Sequence, residues 1–316
     1  MGESKKNKKR RQTKRQKRKK RKQTRKKRGS ENKEKNNTFK KDICVISSKK
    51  KELKFTCYNA ETLNKIKNIW NARHSDIKIQ SEEPMGIWKE LKKYTTNTCN
   101  RESCWLKHQC IKNDIDKSIF ENTFAPSQPV EWKKNPNTWL SSIEISQLMK
   151  QYEKAYQCFE FLGPTPIDFD TYKMYGECVW EELCNFSLQN NISRGKFKVG
   201  IIFNLDKHDK KGSHWMAGFI DIKKGKLYFM DSYGEKLPGR IKTFFERIQK
   251  QGESIGKKME ISEVTKRQQF SESECGMYSL YFIIKLLKDK PFSHFNNDKI
   301  PDWKMRKLRS KFFNKK

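Results

Sequence analysis

Residues 198–231, KVGIIFNLDKHDKKGSHWMAGFIDIKKGKLYFMD, contain three short apolar runs separated by polar or glycine-containing segments. The runs cover 198–205, 215–222 and 227–231, and each has the length and the aliphatic and aromatic content of a strand. The Lys-Lys-Gly-Lys sequence between the last two runs is typical of a turn. These residues therefore predict the core of a sheet, in which the last two runs can pair as a hairpin.

Helical patterns flank this sheet on both sides. Apolar residues recur at 3.6-residue spacing from Ile145 to Tyr156, with Ser141 or Ser142 as the candidate N-cap, and a second helical pattern follows Pro166 through Leu183. The later elements are a helix over 239–251, a strand over 259–264 and a strongly apolar helix over 276–288. This order predicts an α+β fold or an α/β fold with segregated helices.

The first 41 residues differ in charge from the rest of the chain. They hold 22 lysines and arginines against three acidic residues, which is more than half of the formal net charge of +34. Residues 5–28 contain no acidic and no apolar residue, so nothing there offsets the entropy cost of ordering the chain. We expect a disordered basic arm over 1–41. It is interpreted as a nucleic-acid attachment through phosphates, as a nuclear or nucleolar address, or as a solubilising tail.

The rest of the composition limits the class of protein. No apolar run reaches the roughly 18 residues of a membrane span, and no apolar stretch follows the basic N-terminus as in a signal peptide. We expect a soluble protein that is not inserted in a membrane, with a packed core from about residue 130 onward. The nine cysteines are odd in number and lack a framework spacing, which predicts free thiols in a reducing compartment.

One cysteine-rich segment has two interpretations. Cys99, Cys104, His108 and Cys110 place four potential metal ligands within twelve residues. Zinc sites, however, usually split paired ligands across a longer loop. We therefore predict no metal, and we interpret the segment as part of an accessory region, with zinc as the alternative.

Cys275 lies where the polar loop Ser271-Glu-Ser-Glu274 ends and the apolar helix begins. A helix N-terminus stabilises a thiolate through its dipole and its free N–H groups, and Gly276 leaves space for a substrate to approach the backbone. Glu274 opposes the thiolate. A cysteine in this position is by itself more typical of a core residue, so its partners decide the interpretation.

His214 and Asp231 are the candidate partners. His214 lies between a loop rich in lysine and glycine and the strand that starts at Trp215, and Asp231 closes the next strand. A hairpin of these strands would place the two side chains together, as a general base and its orienting group require. His208 is the alternative base, and Asp221 is the alternative orienting group.

Gln268 and Gln269 precede Cys275 in its loop. A side-chain amide there could donate to an oxyanion together with the Cys275 backbone N–H, which is the usual pairing of donors in acyl transfer. Without the candidate nucleophile and base, two glutamines would not indicate a catalytic site.

Together these residues resemble the adenovirus-type and SUMO-deconjugating thiol protease superfamily over about 195–290. The resemblance lies in His214-Trp215 opening a strand, Asp231-Ser232 closing the next, and Gln269 five residues before Glu274-Cys275-Gly276. His-Trp-x-Ala-x-Phe-x-Asp at 214–221 and Glu-Cys-Gly-x-Tyr-Ser at 274–279 are similar to the branch that includes the African swine fever virus polyprotein protease and giant-virus relatives.

The resemblance implies an α+β, papain-like cysteine protease fold, with a mixed sheet flanked by helices and a helical N-terminal accessory region. It implies that Cys275 is the nucleophile, His214 the base, Asp231 the orienting group and Gln269 the oxyanion donor. It also implies that Trp215 lies beside the substrate, with a core position as the alternative, and Gly276 is the second candidate substrate contact. A viral relative in that branch has Asn at the position of Asp231. The implied domains are an accessory region over 42–135 and a protease domain over 136–316.

The implied reaction is peptide hydrolysis through an acyl-enzyme, with no cofactor. The expected substrate is a viral structural polyprotein or virion precursor, cleaved after small Gly-rich motifs, in the virion and in the viral factory of the host cytoplasm. The basic arm adds non-specific nucleic-acid binding or a nuclear location. The alternatives are a protease that removes SUMO-like or ubiquitin-like tags, and a non-enzymatic, nucleic-acid-associated virion protein.

Overall fold

The structure is a computed structural model that describes residues 39–48 and 52–315. The basic arm predicted over 1–41 lies almost entirely outside these residues, and its prediction stays untested. The boundaries predicted at residues 42 and 136 likewise stay predictions.

The described chain consists of short helices followed by a sheet with helices packed against it. The helices are α1 (Ala60–Arg73), α2 (Pro84–Thr95), α3 (Glu102–Trp105), α4 (Lys117–Thr123), α5 (Ser142–Ala155), α6 (Glu181–Cys184), α7 (Leu188–Ser193), α8 (Gly239–Ser254), α9 (Cys275–Leu287), α10 (Ser293–Asn297) and α11 (Asp302–Phe312), with a 3₁₀ turn at Val130–Lys133. The strands are β1 (Phe159–Phe161), β2 (Thr165–Pro166), β3 (Lys198–Asn204), β4 (Trp215–Asp221), β5 (Lys226–Met230) and β6 (Glu260–Val264).

The strands form one mixed sheet in the order β1, β3, β4, β5, β6, with β2 also paired to β3. β3 to β5 are antiparallel neighbours, whereas β1, β2 and β6 run parallel to the strands they join. The predicted hairpin is confirmed, because β4 and β5 pair from Ala217 opposite Met230 to Asp221 opposite Lys226. This pairing brings the start of β4 to the end of β5.

Both faces of the sheet are covered. Every residue of β4 is buried: Ala217 and Phe219 belong to the cluster around α9 and α5, and Met216 and Ile220 to the cluster around α8. Burial on both faces explains why the strands are continuous apolar runs instead of alternating polar and apolar residues. The α+β class with a mixed sheet between helices is confirmed.

α9 packs closely against the centre of the sheet at Gly200 of β3. A Cβ atom at this position would lie 2.7 Å from Cγ2 of Ile283 and 3.0 Å from Cζ of Phe159. Because glycine has no side chain at this position, α9 can lie close to β3 and β4. Cys275, at the start of α9, is placed near the sheet in the same way.

The helix predicted from Ile145 to Tyr156 is confirmed as α5. Ser141 is its N-cap, with a capping box in which the side chains of Ser141 and Glu144 bond each other's backbone N–H groups. The predictions for α8, β6 and α9 are also confirmed, within three residues at each end.

The helix predicted after Pro166 is wrong except for its last turn, α6. Backbone bonds from Val179 to Thr171 and from Trp180 to Phe169 close a loop instead, and Gly176 adopts a φ of +79° within it. Cross-loop pairing thus replaces the helical bonds, and Phe169 is buried against the α8 side of the sheet. The spacing of apolar residues could not distinguish these alternatives.

The core expected from residue 130 onward begins earlier. A separate apolar cluster packs α1 to α4 around residues that include Tyr58, Trp70 and Trp105, each at most 2% exposed. Asn314, near the C-terminus, accepts from the Ile43 N–H at 2.7 Å and donates to the Ile43 carbonyl at 2.8 Å. The accessory helices are therefore packed and tied to the C-terminal end.

Six of the nine cysteines are paired, against the predicted free thiols. The pairs are Cys44 with Cys57, Cys99 with Cys104, and Cys178 with Cys184. The Cα atoms of the three pairs lie 5.1, 5.5 and 6.6 Å apart. The path of the folded chain brings these cysteines together, and their spacing in the sequence does not reveal it. Cys110, Cys158 and Cys275 are free.

Candidate active site

Cys275 is the first residue of α9 and is 1% exposed. The first N–H groups of a helix have no partner within the helix, and their partial positive charge favours an anion beside them. The thiol predicted to be the nucleophile is therefore held where a thiolate and, later, an oxyanion are both stabilised.

His214 and Asp231 meet as the hairpin predicts. His214 Nε2 lies 3.1 and 3.0 Å from the two carboxylate oxygens of Asp231, and both side chains are buried. Oδ1 of Asp231 also accepts from the Tyr233 N–H at 2.7 Å, which fixes the carboxylate. The end of β5 thus orients the imidazole at the start of β4.

Cys275 acts on the charge of the His214 ring. Nε2 faces Asp231, which leaves Nδ1 as the nitrogen available to Cys275. Burial of the ring disfavours the imidazolium, but Asp231 and Cys275 outweigh burial and raise the pKa of His214 to about 9. A proton can therefore reside on His214 near neutral pH, as a general base that has accepted the proton of a thiol requires.

Tyr233 is part of the site and was not predicted. Its ring stacks on His214 with centroids 4.9 Å apart and an interplanar angle of 22°. Tyr233 follows Asp231-Ser232 directly, but an aromatic residue in a turn after a strand carries no sequence signal for stacking. It restricts rotation of the imidazole.

The two glutamines of the Cys275 loop differ in role. Gln268 Nε2 donates to the carbonyls of Phe295 and Asp298, and its Oε1 accepts from the Ile300 N–H, so this side chain joins two loops. Gln269 lies nearer the predicted triad: its Oε1 accepts from the Ser232 hydroxyl at 2.7 Å. This difference agrees with the choice of Gln269 as the candidate donor.

Glu274, which precedes Cys275, is neutralised by a residue that sequence reasoning missed. Its fully buried carboxylate accepts from Nε of Arg309 on α11 at 3.1 Å. Arg309 also donates to the carbonyls of Ser273 at 2.9 Å and Thr138 at 2.6 Å. The repulsion expected between Glu274 and a Cys275 thiolate is therefore compensated, and the loop is held from behind.

Trp215 and Gly276 share one wall of the site. Trp215 is 9% exposed and its Nε1 donates to the Leu140 carbonyl at 2.9 Å. A Cβ on Gly276 would lie 3.1 Å from Leu140 Cβ and 3.2 Å from Trp215 Cδ1. Gly276 is thus needed for the packing of α9 against Leu140 and Trp215.

The alternative residues are occupied elsewhere. His208 Nδ1 lies 2.7 Å from Oδ2 of Asp168, and no bond links it to Cys275 among the described residues. Asp221 accepts from the Lys224 N–H at 3.1 Å in the β4–β5 turn, the opposite end of the strand from His214.

The cysteine-rich segment does not converge on one point. Cys99 is paired with Cys104, while Cys110 Sγ lies 3.8 Å from Nε2 of His74. Over residues 39–48 and 52–315, no group of three or more potential ligands is arranged to hold a metal. Over the same residues, no helix has the length and apolar character to cross a membrane.

Comparison with known proteins assigns residues 198–316 to a family model and finds relatives over most of the chain. Residues 198–316 match the family model described as the C-terminal catalytic domain of the Ulp1 protease family. A protein of Acanthamoeba polyphaga mimivirus, provisionally named a thiol protease, is 28% identical over 288 residues, which cover 89% of this chain and 90% of that protein. A protein of African swine fever virus named as a SUMO-1 cysteine protease is 28% identical over 256 residues, which cover 75% of this chain and 89% of the relative.

The fold agrees with this assignment. The crystal structure of the African swine fever virus protease superposes with a TM-score of 0.64 at 22% identity, covering 86% of this chain and 95% of that one. The matched domain spans His214, Asp231 and Cys275, and its relatives bear the names of thiol and cysteine proteases. Residues 198–316 therefore match the catalytic domain of the Ulp1 protease family, and the chain is a cysteine peptidase.

Proposed function

We propose that this peptidase cleaves a viral structural polyprotein or virion precursor after Gly-rich motifs, with Cys275 as nucleophile, His214 as general base and Asp231 as its orienting group. The observation that carries these roles is the bond from His214 Nε2 to Asp231, together with Cys275 near enough to raise the pKa of the same imidazole. Each member has the partner that thiol catalysis requires.

The reaction follows from this geometry. The Cys275 thiolate attacks the scissile carbonyl carbon while the proton of the thiol resides on His214. His214 then donates this proton to the departing amine as the carbon–nitrogen bond breaks, which leaves a thioester. A water molecule, deprotonated by His214, attacks the thioester and releases the acid and the thiol.

The oxyanion is held by the Cys275 N–H and by Nε2 of Gln269. In the present structure the Gln269 amide donates to the Tyr233 hydroxyl at 3.1 Å and to the Ser271 carbonyl at 2.5 Å. It has to exchange one of these acceptors for the oxyanion. The Tyr233 bond is the longer of the two, so we propose that it is the one released.

The burial of Cys275 supports cleavage after glycine. Cys275 is 1% exposed. A substrate residue without a side chain can bring its carbonyl carbon to so buried a thiol with less displacement of the surrounding residues than a large residue can. Trp215 and Gly276 are the proposed contacts for the residues before the scissile bond.

The choice of substrate rests on the relatives. The matches in mimivirus and African swine fever virus support a viral protease and a viral precursor as its substrate. The name SUMO-1 cysteine protease favours the alternative substrate, a SUMO-like or ubiquitin-like conjugate. The match over residues 198–316 and the relatives named as thiol and cysteine proteases argue against the non-enzymatic alternative.

We also propose that the enzyme acts in the virion and in the host cytoplasm, with a nuclear location as the alternative. The support is the basic segment 5–28, whose lysines and arginines can neutralise phosphates and retain the enzyme on nucleic acid without reading the sequence. Deletion of residues 1–41 tests this proposal: unchanged DNA binding and unchanged incorporation into particles would contradict it.

The proposed substrate is tested with the purified full chain, Cys275→Ala, and Cys158→Ala as a matched control at another free cysteine. Each is incubated with a Gly-Gly-containing viral structural polyprotein and with a SUMO-like conjugate, and cleavage sites are mapped by mass spectrometry. We expect cleavage of the polyprotein after Gly-rich motifs by the parent and by Cys158→Ala only. Turnover of the conjugate alone would overturn the substrate, and full activity of Cys275→Ala would overturn the nucleophile.

A further inference from the structure

A cavity of about 540 Å³ adjoins the candidate active site. Leu140 and Trp215 form part of its lining, and these are the two residues that pack against Gly276 beside Cys275. Trp215 also follows His214 directly in the chain. A polypeptide that passes Trp215 on leaving the site therefore enters this cavity.

The walls of the cavity are apolar and stiff. They include Trp139, which is 40% exposed, together with Trp180, Pro164 and Pro166. Such walls contact the aliphatic part of a bound side chain but provide no charge to orient its end. The charge comes from the rim.

The rim is basic. Lys207, Lys210 and Lys211 from the β3–β4 loop and Lys173 from the loop after β2 line the cavity, and all four are exposed. Lys210 has a distant partner, Asp209, at 3.7 Å. Lys173, Lys207 and Lys211 form no ion pair within residues 39–48 and 52–315.

Three acidic groups near the cavity offset part of this charge. Asp206 lines it, Asp209 is the distant partner of Lys210, and the Asp168 carboxylate is buried and bonded to His208. A concave surface lined by an excess of one charge focuses the field on whatever occupies it. The complementary occupant is an acidic side chain.

We propose that this cavity binds an acidic side chain of the protein substrate at a fixed distance from the scissile bond, and that Lys207 and Lys211 select it. The proposal rests on the proposed function and deepens it, because it adds a charged specificity element to the glycine requirement beside Cys275. The occupant is a segment of the substrate chain, since Leu140 and Trp215 line the cavity and also pack against Gly276 beside Cys275.

The test measures binding without turnover, using the full chain with Cys275→Ala. Fluorescent peptides contain one Gly-Gly sequence and carry Glu, Gln or Lys at each of the five positions on either side of it. The Kd of each peptide is measured by fluorescence anisotropy for three proteins, all of which carry Cys275→Ala. The first has no other substitution, the second adds Lys207→Glu and Lys211→Glu, and the third adds Lys250→Glu as a control. Lys250 is exposed on α8 and does not line the cavity.

We expect Glu at one position to lower the Kd about three- to tenfold relative to Gln, the range for two partly exposed charge pairs. The advantage should disappear in the double variant, where the Lys peptide should bind best, and should persist in Lys250→Glu. It should also shrink as salt is raised from about 0.05 to about 0.5 M, because exposed charges are screened.

Equal Kd values for the Glu and Gln peptides at every position would overturn the proposal, and so would a Glu preference that the double variant retains. Cleavage of the Gln peptide by the parent enzyme tests the proposed peptidase reaction separately. The cleavage assay can therefore confirm the proposed peptidase reaction even if the binding assay rejects the role of the lysines. The binding assay in turn does not depend on whether the peptide is cleaved.

Discussion

The buried ion pair between Arg309 and Glu274 gives a prediction whose size follows from the structure. The Glu274 side chain is 0% exposed and that of Arg309 is 5% exposed. Arg309→Met retains most of the side-chain volume but leaves the Glu274 charge buried without its partner. Removing one member of a buried pair costs about 3–5 kcal/mol of unfolding free energy.

Two further bonds of Arg309 increase the expected loss. Its guanidinium also donates to the carbonyls of Thr138 and Ser273, which lose their partner in the variant. We therefore expect a loss near the upper end of the range, about 5 kcal/mol. Adding Glu274→Gln removes the uncompensated charge, so the double variant should be more stable than Arg309→Met.

The assay is urea unfolding at pH 7, followed by tryptophan fluorescence, for the parent, both single variants and the double variant. Lys242→Met is the control, because Lys242 and Glu246 are 3.9 Å apart and exposed, and it should change the free energy by less than about 0.5 kcal/mol. A loss below about 1 kcal/mol for Arg309→Met, or strictly additive losses in the double variant, would refute the reasoning.

Three further predictions concern the fold and the site. Folding raises the pKa of His214 from its ordinary 6.5 to about 9, so the stabilising effect of its protonation is complete below pH 6.5 and is lost as the pH rises through 9. The difference in unfolding free energy between the parent and His214→Gln, measured in urea, should therefore shrink over that interval. A difference that grows with pH would contradict the prediction. Gly200→Ala should cost about 1–3 kcal/mol in the same assay, because the new methyl group would clash with Ile283; an unchanged midpoint would show that α9 can move away. Gln269→Ala should lower kcat about 10²- to 10³-fold in peptide cleavage. It should also cost about 1–3 kcal/mol of unfolding free energy, because the Ser232 hydroxyl loses its buried acceptor. An unchanged kcat would remove Gln269 from the oxyanion site.

The strands and helices nearest the site were predictable because their signals are local. β3, β4 and β5 appear as apolar runs bounded by turns, and α9 as an apolar helix that starts after a polar loop. Where local patterns were ambiguous, prediction failed: the apolar spacing through Phe169 and Trp180 fits a helix, but cross-loop backbone bonds formed a loop instead.

The sequence by itself determined the order of His214, Asp231, Gln269 and Cys275, together with the hairpin that joins the first two. Only the tertiary structure decided which imidazole nitrogen faces Asp231, that Tyr233 stacks on the ring, and that an arginine on α11 neutralises Glu274. Periodicity and turn chemistry report on neighbours along the chain. Contacts between residues tens of positions apart depend on how the helices pack on the sheet, and no local pattern encodes that packing.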